Sequence, residues 1–389
     1  AWAQSQPPAA RNLLTLEEAV NTALQDNRQV KNTALEISKS EHMLAAARTR
    51  RWPNFAVIVG ENWLLTPQPN FNALGGSPGV LPMPIPITSA TDIVSNRQPT
   101  ALMTGLMAQP LSQQYRIGLN ISMHGVMRDI AREQLRAKRQ SVASEVKRLY
   151  YGILQTQSSL ESVEGTIRFL RELNRLSSRY FKEKTLLKSE LLEARARLAQ
   201  EEQHRIVLHN QLATQKEQLN DLMGRNILTE FRVNPMPEAT AQENDLDGAK
   251  TRALQQRPEV QESRLKIRQA EYDRWIKQSE YLPDISFIAS YARTVNLSPV
   301  PDNLGFAGFL MTWEPFDWGR KRHELASKTQ TVAQTKNMSR ETESQVLIDV
   351  DSKFRNLQAS RGQLKASRAT QETAREKLKE TMDAFENGT

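Results

Sequence analysis

The sequence predicts a mainly α-helical protein with a small β part, built from two copies of one unit. The first observation is an internal repeat: shifted by 230 positions, residues 16–53 align with 246–283 without a gap. Ten aligned positions are identical, where average composition gives roughly two or three by chance. The alignment resumes at an offset of 204, where Val142 corresponds to Val346 and Phe181 to Phe385. A repeat of this length predicts two halves with the same fold.

The composition favours long, exposed helices. Hydrophobic residues make up 39% of the 389 residues, charged residues 25% and aromatic residues 6%, a balance typical of helices that each bury one stripe. No apolar run reaches the roughly 18 residues that a transmembrane helix needs. The net charge of +8 is interleaved with 44 acidic residues, so no nucleic-acid partner is predicted. The chain has no cysteine, which excludes a thiolate metal site, and no cofactor is expected.

Proline, capping and heptad signals divide the chain into elements. Thr15 followed by Glu18 is typical of a helix start, and this helix should end at Trp52-Pro53, as its counterpart should at Leu282-Pro283. At an offset of 204, residues 186–222 would correspond to 390–426, so repeat 2 is expected to lack its final helix. The predicted organisation is an N-terminal tail (1–14), repeat 1 (15–224; helix, β-hairpin 54–109, long helical hairpin), a linker (225–245) and repeat 2 (246–389; helix, β-hairpin 284–314, long helix).

Alternating apolar residues after each proline predict a β-hairpin in each repeat. Phe55, Val57 and Val59 fall on one face of the first strand, and Phe287 and Tyr291 recur in the same way in repeat 2. Repeat 1 carries 26 extra residues, nearly all in a proline- and glycine-rich loop between its two strands, which indicates a tolerated surface insertion. The four predicted strands are 54–64, 100–109, 284–294 and 304–314.

The longest segments have a sevenfold apolar period. Val146, Ile153, Leu160 and Ile167 are seven residues apart, and Leu191 and Leu198 begin a second series. A sustained period of this kind predicts supercoiled helices packed knobs-into-holes. A reversal within 180–188 would let the two segments pair antiparallel.

Four strands form a sheet with two open edges, and open edges pair with other chains. Both edges are satisfied if several copies close one barrel, which is the only β-structure that spans lipid. The smallest such barrels have about eight strands, so at least two copies are required. The sequence therefore predicts long antiparallel coiled-coil helices that form an α-helical barrel, with four strands per chain contributed to an oligomeric transmembrane β-barrel.

The segment LTLEEAVNTALQDNRQVKNTALEISKSEHMLAAARTRRWPNF resembles the opening of the TolC-like outer-membrane efflux proteins, the outer membrane factors. The resemblance extends through both repeats and includes their proline stops, hairpins and the Phe-x-x-Gly-Thr element at 385–389. It implies a homotrimer in the outer-membrane lipid of a Gram-negative bacterium, with a twelve-stranded barrel and a helical tunnel across the periplasm. It also implies the role of exit duct in a tripartite efflux or secretion system, joined by a periplasmic adaptor to an inner-membrane transporter.

The resemblance also points to two helix reversals at the periplasmic tip, where the family usually has glycine. Repeat 2 has Gly388 and Thr389 there, whereas repeat 1 has Lys184 before Thr185, so its turn is expected to differ in shape. Glu190 corresponds to a family carboxylate used in closing the entrance. The residues expected to form the gate and the adaptor contact are Lys182, Lys184, Thr185, Lys188, Glu190, Gly388 and Thr389.

No catalytic constellation is found, so the sequence predicts no enzyme. The five histidines are scattered, and Gly75-Gly76-Ser77-Pro78-Gly79 lacks the Lys-Ser/Thr ending of a phosphate-binding loop. Conduction through the channel is therefore expected to be passive. The alternative interpretation is a soluble coiled-coil scaffold or adaptor, which would account for the heptads but not for hairpins inserted at the same point of both repeats.

Overall fold

The computed structural model describes residues 13–62, 100–235, 245–295 and 301–386. Helices hold most of these residues, which confirms the mainly α-helical class with a small β part. The helices are α1 (Leu16–Asp26), α2 (Arg28–Thr49), α3 (Gln114–Lys182), α4 (Lys188–Leu222), α5 (Leu246–Gln256), α6 (Pro258–Ser279) and α7 (Arg320–Glu386). The strands are β1 (Leu13–Leu14), β2 (Asn54–Asn62), β3 (Thr100–Pro110), β4 (Arg232–Val233), β5 (Asp284–Val295) and β6 (Asn303–Thr312).

The first helix of each repeat is broken, although the sequence predicted one continuous helix. The backbone ψ angle is extended at Asn27, between α1 and α2, and also at Arg257, between α5 and α6. The Asn27 side chain accepts hydrogen bonds from the backbone N–H groups of Gln29 and Val30, and so caps α2. In repeat 2 the same break has another cause, because Pro258 pushes Arg257 out of the helical region.

The described residues group into two compact units. The helical unit falls within 1–39, 128–265 and 337–389, and the sheet unit falls within 40–127 and 266–336.

The helical unit has its main core around the middle of α3. Val146, Tyr150 and Ile153 are fully buried there against Leu219 and Met223 at the end of α4. Further along α3, Val163 and Ile167 pack with Leu208 of α4. All of these except Tyr150 and Met223 are positions of the predicted heptads, so the antiparallel pairing of α3 and α4 is confirmed.

A two-residue parallel bridge, which the sequence did not reveal, joins the start of the chain to the end of repeat 1. Leu13 and Leu14 of β1 pair with Arg232 and Val233 of β4. The Tyr150 hydroxyl lies 2.9 Å from the carbonyl oxygens of both Leu14 and Asn234, and accepts a hydrogen bond from the N–H of Asn234. This buried hydroxyl therefore ties both short strands to α3.

The sheet unit contains one antiparallel sheet in the order β2-β3-β5-β6. Its strands match the four predicted windows to within two residues at each end, and both preceding helices end before Pro53 and Pro283 as expected. Residues 63 and 64 of the first window lie outside the described residues, as does the loop over 63–99. No helix in the described part of the chain is both long and apolar enough to cross a membrane.

Candidate functional site

One face of the sheet is apolar and exposed. The side chains of Phe55, Val57 and Val59 in β2 are 71%, 67% and 70% exposed. The register places Gly105 and Tyr291 beside Val57 across the neighbouring strands. This register puts the predicted alternating residues of both hairpins on the same face. Soluble proteins rarely leave an apolar patch of this kind exposed.

The opposite face mixes small or polar side chains with apolar ones, since Ser290 of β5 pairs with Leu106 of β3 and Phe306 of β6. Ser290, Ala292 and Thr294 of β5 are buried, and they alternate with exposed Tyr291 and Arg293. Thr104 of β3 pairs with Ala292 on this face. Both faces therefore contain apolar side chains, and the face of Phe55, Val57 and Val59 leaves large ones exposed in a single chain.

Both edges of the sheet are open in the described residues, because β2 and β6 each pair with one neighbour only. β2 belongs to repeat 1 and β6 to repeat 2. Unpaired backbone N–H and C=O groups along these edges can be satisfied by the strand of another copy.

Side chains at the first turn of α3 hold the sheet onto the helices. The Ser112 hydroxyl donates to the carbonyl oxygen of Pro283 and accepts from the N–H of Ile285, both at 2.7 Å. Arg116 forms an ion pair with Asp284 at 2.8 Å. The proline step of repeat 2 is thereby fixed to α3, so the direction in which β5 leaves its helix is set by repeat 1.

The start of α7 is capped by a residue that sequence reasoning missed. The Asp317 carboxylate accepts hydrogen bonds from the N–H of Lys321 at 2.8 Å and of Gly319 at 3.1 Å. The bond from Lys321 in particular lowers the pKa of Asp317 below its ordinary value. Trp318 and Gly319 both have left-handed φ, at 56° and 87°. An Asp two residues before a Gly at a helix start was the available signal.

The reversal between α3 and α4 keeps the usual form of a glycine turn, although it has no glycine. Lys184 adopts a left-handed φ of 57°. The N–H of Thr185 donates to the carbonyl oxygen of Tyr180 at 3.0 Å, and the N–H of Lys184 donates to that of Phe181 at 3.1 Å. These two bonds define a Schellman motif with lysine at the position where glycine is preferred. The turn lies within the predicted window of 180–188.

Glu190 binds the helix start next to this turn. Its carboxylate accepts a hydrogen bond from the N–H of Leu187 at 3.3 Å. Within the described residues, no ion pair joins Glu190 to Lys182, Lys184 or Lys188, and all four side chains are exposed. Gly388 and Thr389, the predicted tip of repeat 2, lie outside the described residues.

The described part of the chain has no group of three or more His, Asp or Glu side chains placed to hold a metal ion.

Solved structures share this fold. VceC, an outer membrane protein of Vibrio cholerae, matches with a TM-score of 0.74 at 14% identity, over 96% of this chain and 86% of that one. A membrane protein from Pseudomonas aeruginosa matches with a TM-score of 0.78 at 17% identity, over 96% and 81%. The MtrE outer membrane channel of Neisseria gonorrhoeae matches with a TM-score of 0.60 at 14% identity, over 90% and 74%. No curated protein sequence matches.

The fold is thus that of the outer-membrane channels, which combine an α-helical barrel with a β-domain. Residues 250–389 match the model of one family, described as outer membrane efflux protein. This match agrees with the resemblance stated from the sequence. Among the structural neighbours, OprN, CmeC and MtrE are outer membrane channels.

Proposed function

We propose that the chain is the exit duct of a tripartite efflux or secretion system and conducts substrates passively across the periplasm and the outer membrane. The observation that carries this proposal is the sheet, whose apolar exposed face and two open edges suit a barrel closed by several copies in lipid. A soluble scaffold would leave the same face in water, where it would favour aggregation.

The number of copies is proposed to be three. One chain supplies four strands of the main sheet within the described residues, and barrels in lipid need about eight or more. The family resemblance favours a barrel of twelve strands, which three copies provide. Native mass measurement in detergent should give a trimer, and a stable monomer would contradict the barrel itself.

The helix reversals are proposed as the contact for the periplasmic adaptor, which in turn binds an inner-membrane transporter. The sequence predicts a second reversal at 385–389, related by the repeat to the one at Lys184, so three copies would present six similar tips. The tips must move apart to open the channel, so polar contacts around Glu190 would keep it closed. The carboxylate at Glu190 already caps α4 in a single chain, and the charge is proposed to act between chains.

Bilayer conductance tests the proposed function directly. Purified protein, reconstituted in a planar lipid bilayer, should produce discrete conductance steps in the absence of any nucleotide. The matched control is Gly105→Pro, because proline in a central strand removes a ladder hydrogen bond and should abolish the steps. Recovery of the untagged protein from the soluble fraction, without conductance, would favour the scaffold.

A further inference from the structure

The two hairpins of the sheet pair their strands in the same register. In repeat 1, Val57 of β2 lies opposite Gly105 of β3. The repeat offsets of 230 and 204 move these positions to Phe287 and Phe309, which lie opposite each other in β5 and β6. The hairpins are therefore equivalent pair by pair, although most of their residues differ.

The sheet contains one join between the two hairpins. The second strand of repeat 1, β3, pairs with the first strand of repeat 2, β5, and Gly105 lies opposite Tyr291. A second join of this kind would pair β6 with β2. These two strands lie at opposite edges of the described sheet, so β6 can meet β2 only in another copy.

Three residues that line the existing join are identical in the edge strands; the pairs are Leu106/Leu310, Met107/Met311 and Ile288/Ile58. The first member of each pair is half-buried, whereas the second is 51%, 60% and 55% exposed, respectively. No residue of α4 belongs to the sheet unit, so the lack of a counterpart of α4 does not explain this exposure. The residues of the join are thus retained where a single chain leaves it open.

We infer that β6 of one copy pairs with β2 of the next copy in the register that joins β3 to β5. This inference rests on the proposed function, in which several copies close one barrel. The two offsets applied to Gly105 and Tyr291 place Phe309 opposite Glu61 of the neighbouring copy. Residues 308–312 then face 58–62, antiparallel like every pair within the main sheet.

The backbone groups at the two edges suit this register. In an antiparallel ladder, alternate residues direct their N–H and C=O groups to opposite sides. At the end of the β3–β5 pairing, the N–H of Leu111 donates to the carbonyl oxygen of Ile285 at 2.9 Å. Beside the β5–β6 pairing, the N–H of Thr294 donates to that of Asp302 at 2.9 Å. By this alternation, the odd-numbered residues of β2 and β6 have free groups, and the inferred register brings odd-numbered residues opposite each other.

The existing join places large side chains opposite small ones on the face that lies opposite to Val57. Leu106 lies opposite Ser290, and Ile288 lies opposite Ala108. Small barrels often alternate large and small side chains on the inner face, because the space inside is limited. A second join on the same face has to meet the same condition.

The inferred register meets this condition, and a slip of two residues does not. In the inferred register, Leu310 faces Gly60 and Ile58 faces Thr312. A slip of two residues would place Leu310 against Ile58 and leave Thr312 opposite Ala56. Two large side chains would then meet beside two smaller ones, which leaves the join unevenly filled.

Cysteine pairs measure the register directly, because the chain has no native cysteine. The variant Ile58→Cys/Thr312→Cys should form disulfides between copies on oxidation, and its monomer band should shift to covalent dimer and trimer on a non-reducing gel. Ala108→Cys/Ile288→Cys is the matched control, because it is the equivalent pair within one chain. The control should form its disulfide without linking copies.

Two further variants keep Thr312→Cys and combine it with Ala56→Cys or Gly60→Cys. An added Cβ at Gly60 would meet nothing within 4 Å, so a cysteine fits there. Diagonal neighbours in a sheet lie about 7–8 Å apart, which is too far for an unstrained disulfide, so both variants should give less product than Ile58→Cys. More product from either one would overturn the inference. So would a lack of product between copies in all three variants while the control reacts.

Single cysteines test whether like edges meet instead. Chains that carry only Ile58→Cys, or only Thr312→Cys, should stay monomeric on a non-reducing gel after oxidation. A covalent dimer of either single variant would overturn the inference, because two β2 strands or two β6 strands would then be adjacent.

The proposed function has a separate outcome, which is conductance in bilayers. A protein that conducts, but crosslinks in a slipped register or between like edges, contradicts the inference alone. A chain that crosslinks as expected but shows no conductance contradicts the proposed function alone. A chain that neither crosslinks between copies nor conducts overturns both.

Discussion

The hydroxyl of Tyr150 lies 2.9 Å from the carbonyl oxygen of Leu14, a residue 136 positions earlier in the chain. Its side chain is fully buried, and burial raises the pKa of the Tyr150 phenol above its ordinary value. One hydroxyl thus holds the beginning of the chain and the end of repeat 1 against α3.

Tyr150→Phe should lower the free energy of unfolding by about 1 kcal/mol, because the hydrogen bonds of the buried hydroxyl to Leu14 and Asn234 are lost, although the N–H of Asn234 still donates to the carbonyl oxygen of Leu14. The measurement is denaturant unfolding followed by circular dichroism. Tyr180→Phe, at an exposed site, is the matched control and should change little. In the wild type, this contribution is present below the ordinary pKa of tyrosine and is lost as the pH rises through the raised pKa. Equal effects of the two substitutions would contradict the role of the hydroxyl.

Lys184→Gly should stabilise the reversal between α3 and α4 by about 1 kcal/mol, because glycine adopts the left-handed conformation without the strain that a Cβ causes. The thermal unfolding midpoint of the detergent-solubilised protein should rise. Lys182→Gly is the control, since the same substitution within a helix should lower the midpoint. A lower midpoint for Lys184→Gly would show that the lysine side chain itself stabilises the turn.

Glu190→Lys should raise single-channel conductance, or leakage of bulky antibiotics, if the carboxylate helps to close the entrance. Glu190→Gln separates this effect from capping, because the amide oxygen can still accept the hydrogen bond from Leu187. The closing role predicts increased conductance in both variants. Loss of stability in Glu190→Lys, with unchanged conductance in both, would assign Glu190 to the helix alone.

Val57→Arg should impair insertion into lipid, with a cost of about 2–4 kcal/mol near the middle of the bilayer. Ile58→Arg changes the adjacent residue of the same strand on the opposite face, and should be tolerated. The readout is the folded fraction in lipid vesicles, measured as resistance to denaturation on gel electrophoresis. Greater damage from Ile58→Arg would invert the assignment of the two faces.

Acid should weaken the contact between α6 and α7. Lys277 lies 2.7 Å from Glu280 and 2.6 Å from Glu324, and its hydrogen bond lowers the pKa of Glu324. The contribution of Glu324 is present above its ordinary pKa and is lost as the pH falls through the lowered value. In Lys277→Met, a fall in pH should instead stabilise this contact, because protonation relieves the repulsion between the carboxylates of Glu280 and Glu324. Thermal midpoints across acidic pH, with exposed Lys147→Met as control, test this.

Much of the fold could be predicted because its signals are periodic and repeated. Val146 and Ile153 belong to a heptad series that predicts a packed helix. Pro53 and Pro283 each mark the end of a helix, because proline restricts the residue before it. The break at Asn27 was missed because the apolar spacing continues across it, and only Pro258 in repeat 2 marked the site. The pairing of Leu13 with Arg232 leaves no periodic trace, since two residues are too few to alternate.

The candidate site was less predictable than the fold. The position of the turn at Lys184 followed from the heptads, but its left-handed backbone did not, because lysine rarely adopts it. Asp317 was not recognised, since its capping role depends on the positive φ of Trp318 and Gly319. The proposed contact of Glu190 with another chain depends on assembly, which the pattern of one chain does not determine.

The order of the sheet has a consequence for the way copies can add to one another. Its free edges are unlike, with β2 of repeat 1 on one side and β6 of repeat 2 on the other. Joining unlike edges is a head-to-tail contact, which closes only if the rotation between successive copies divides a full turn evenly. Strand tilt determines that rotation, so substitutions that change tilt would convert a closed ring into an open filament of sheets.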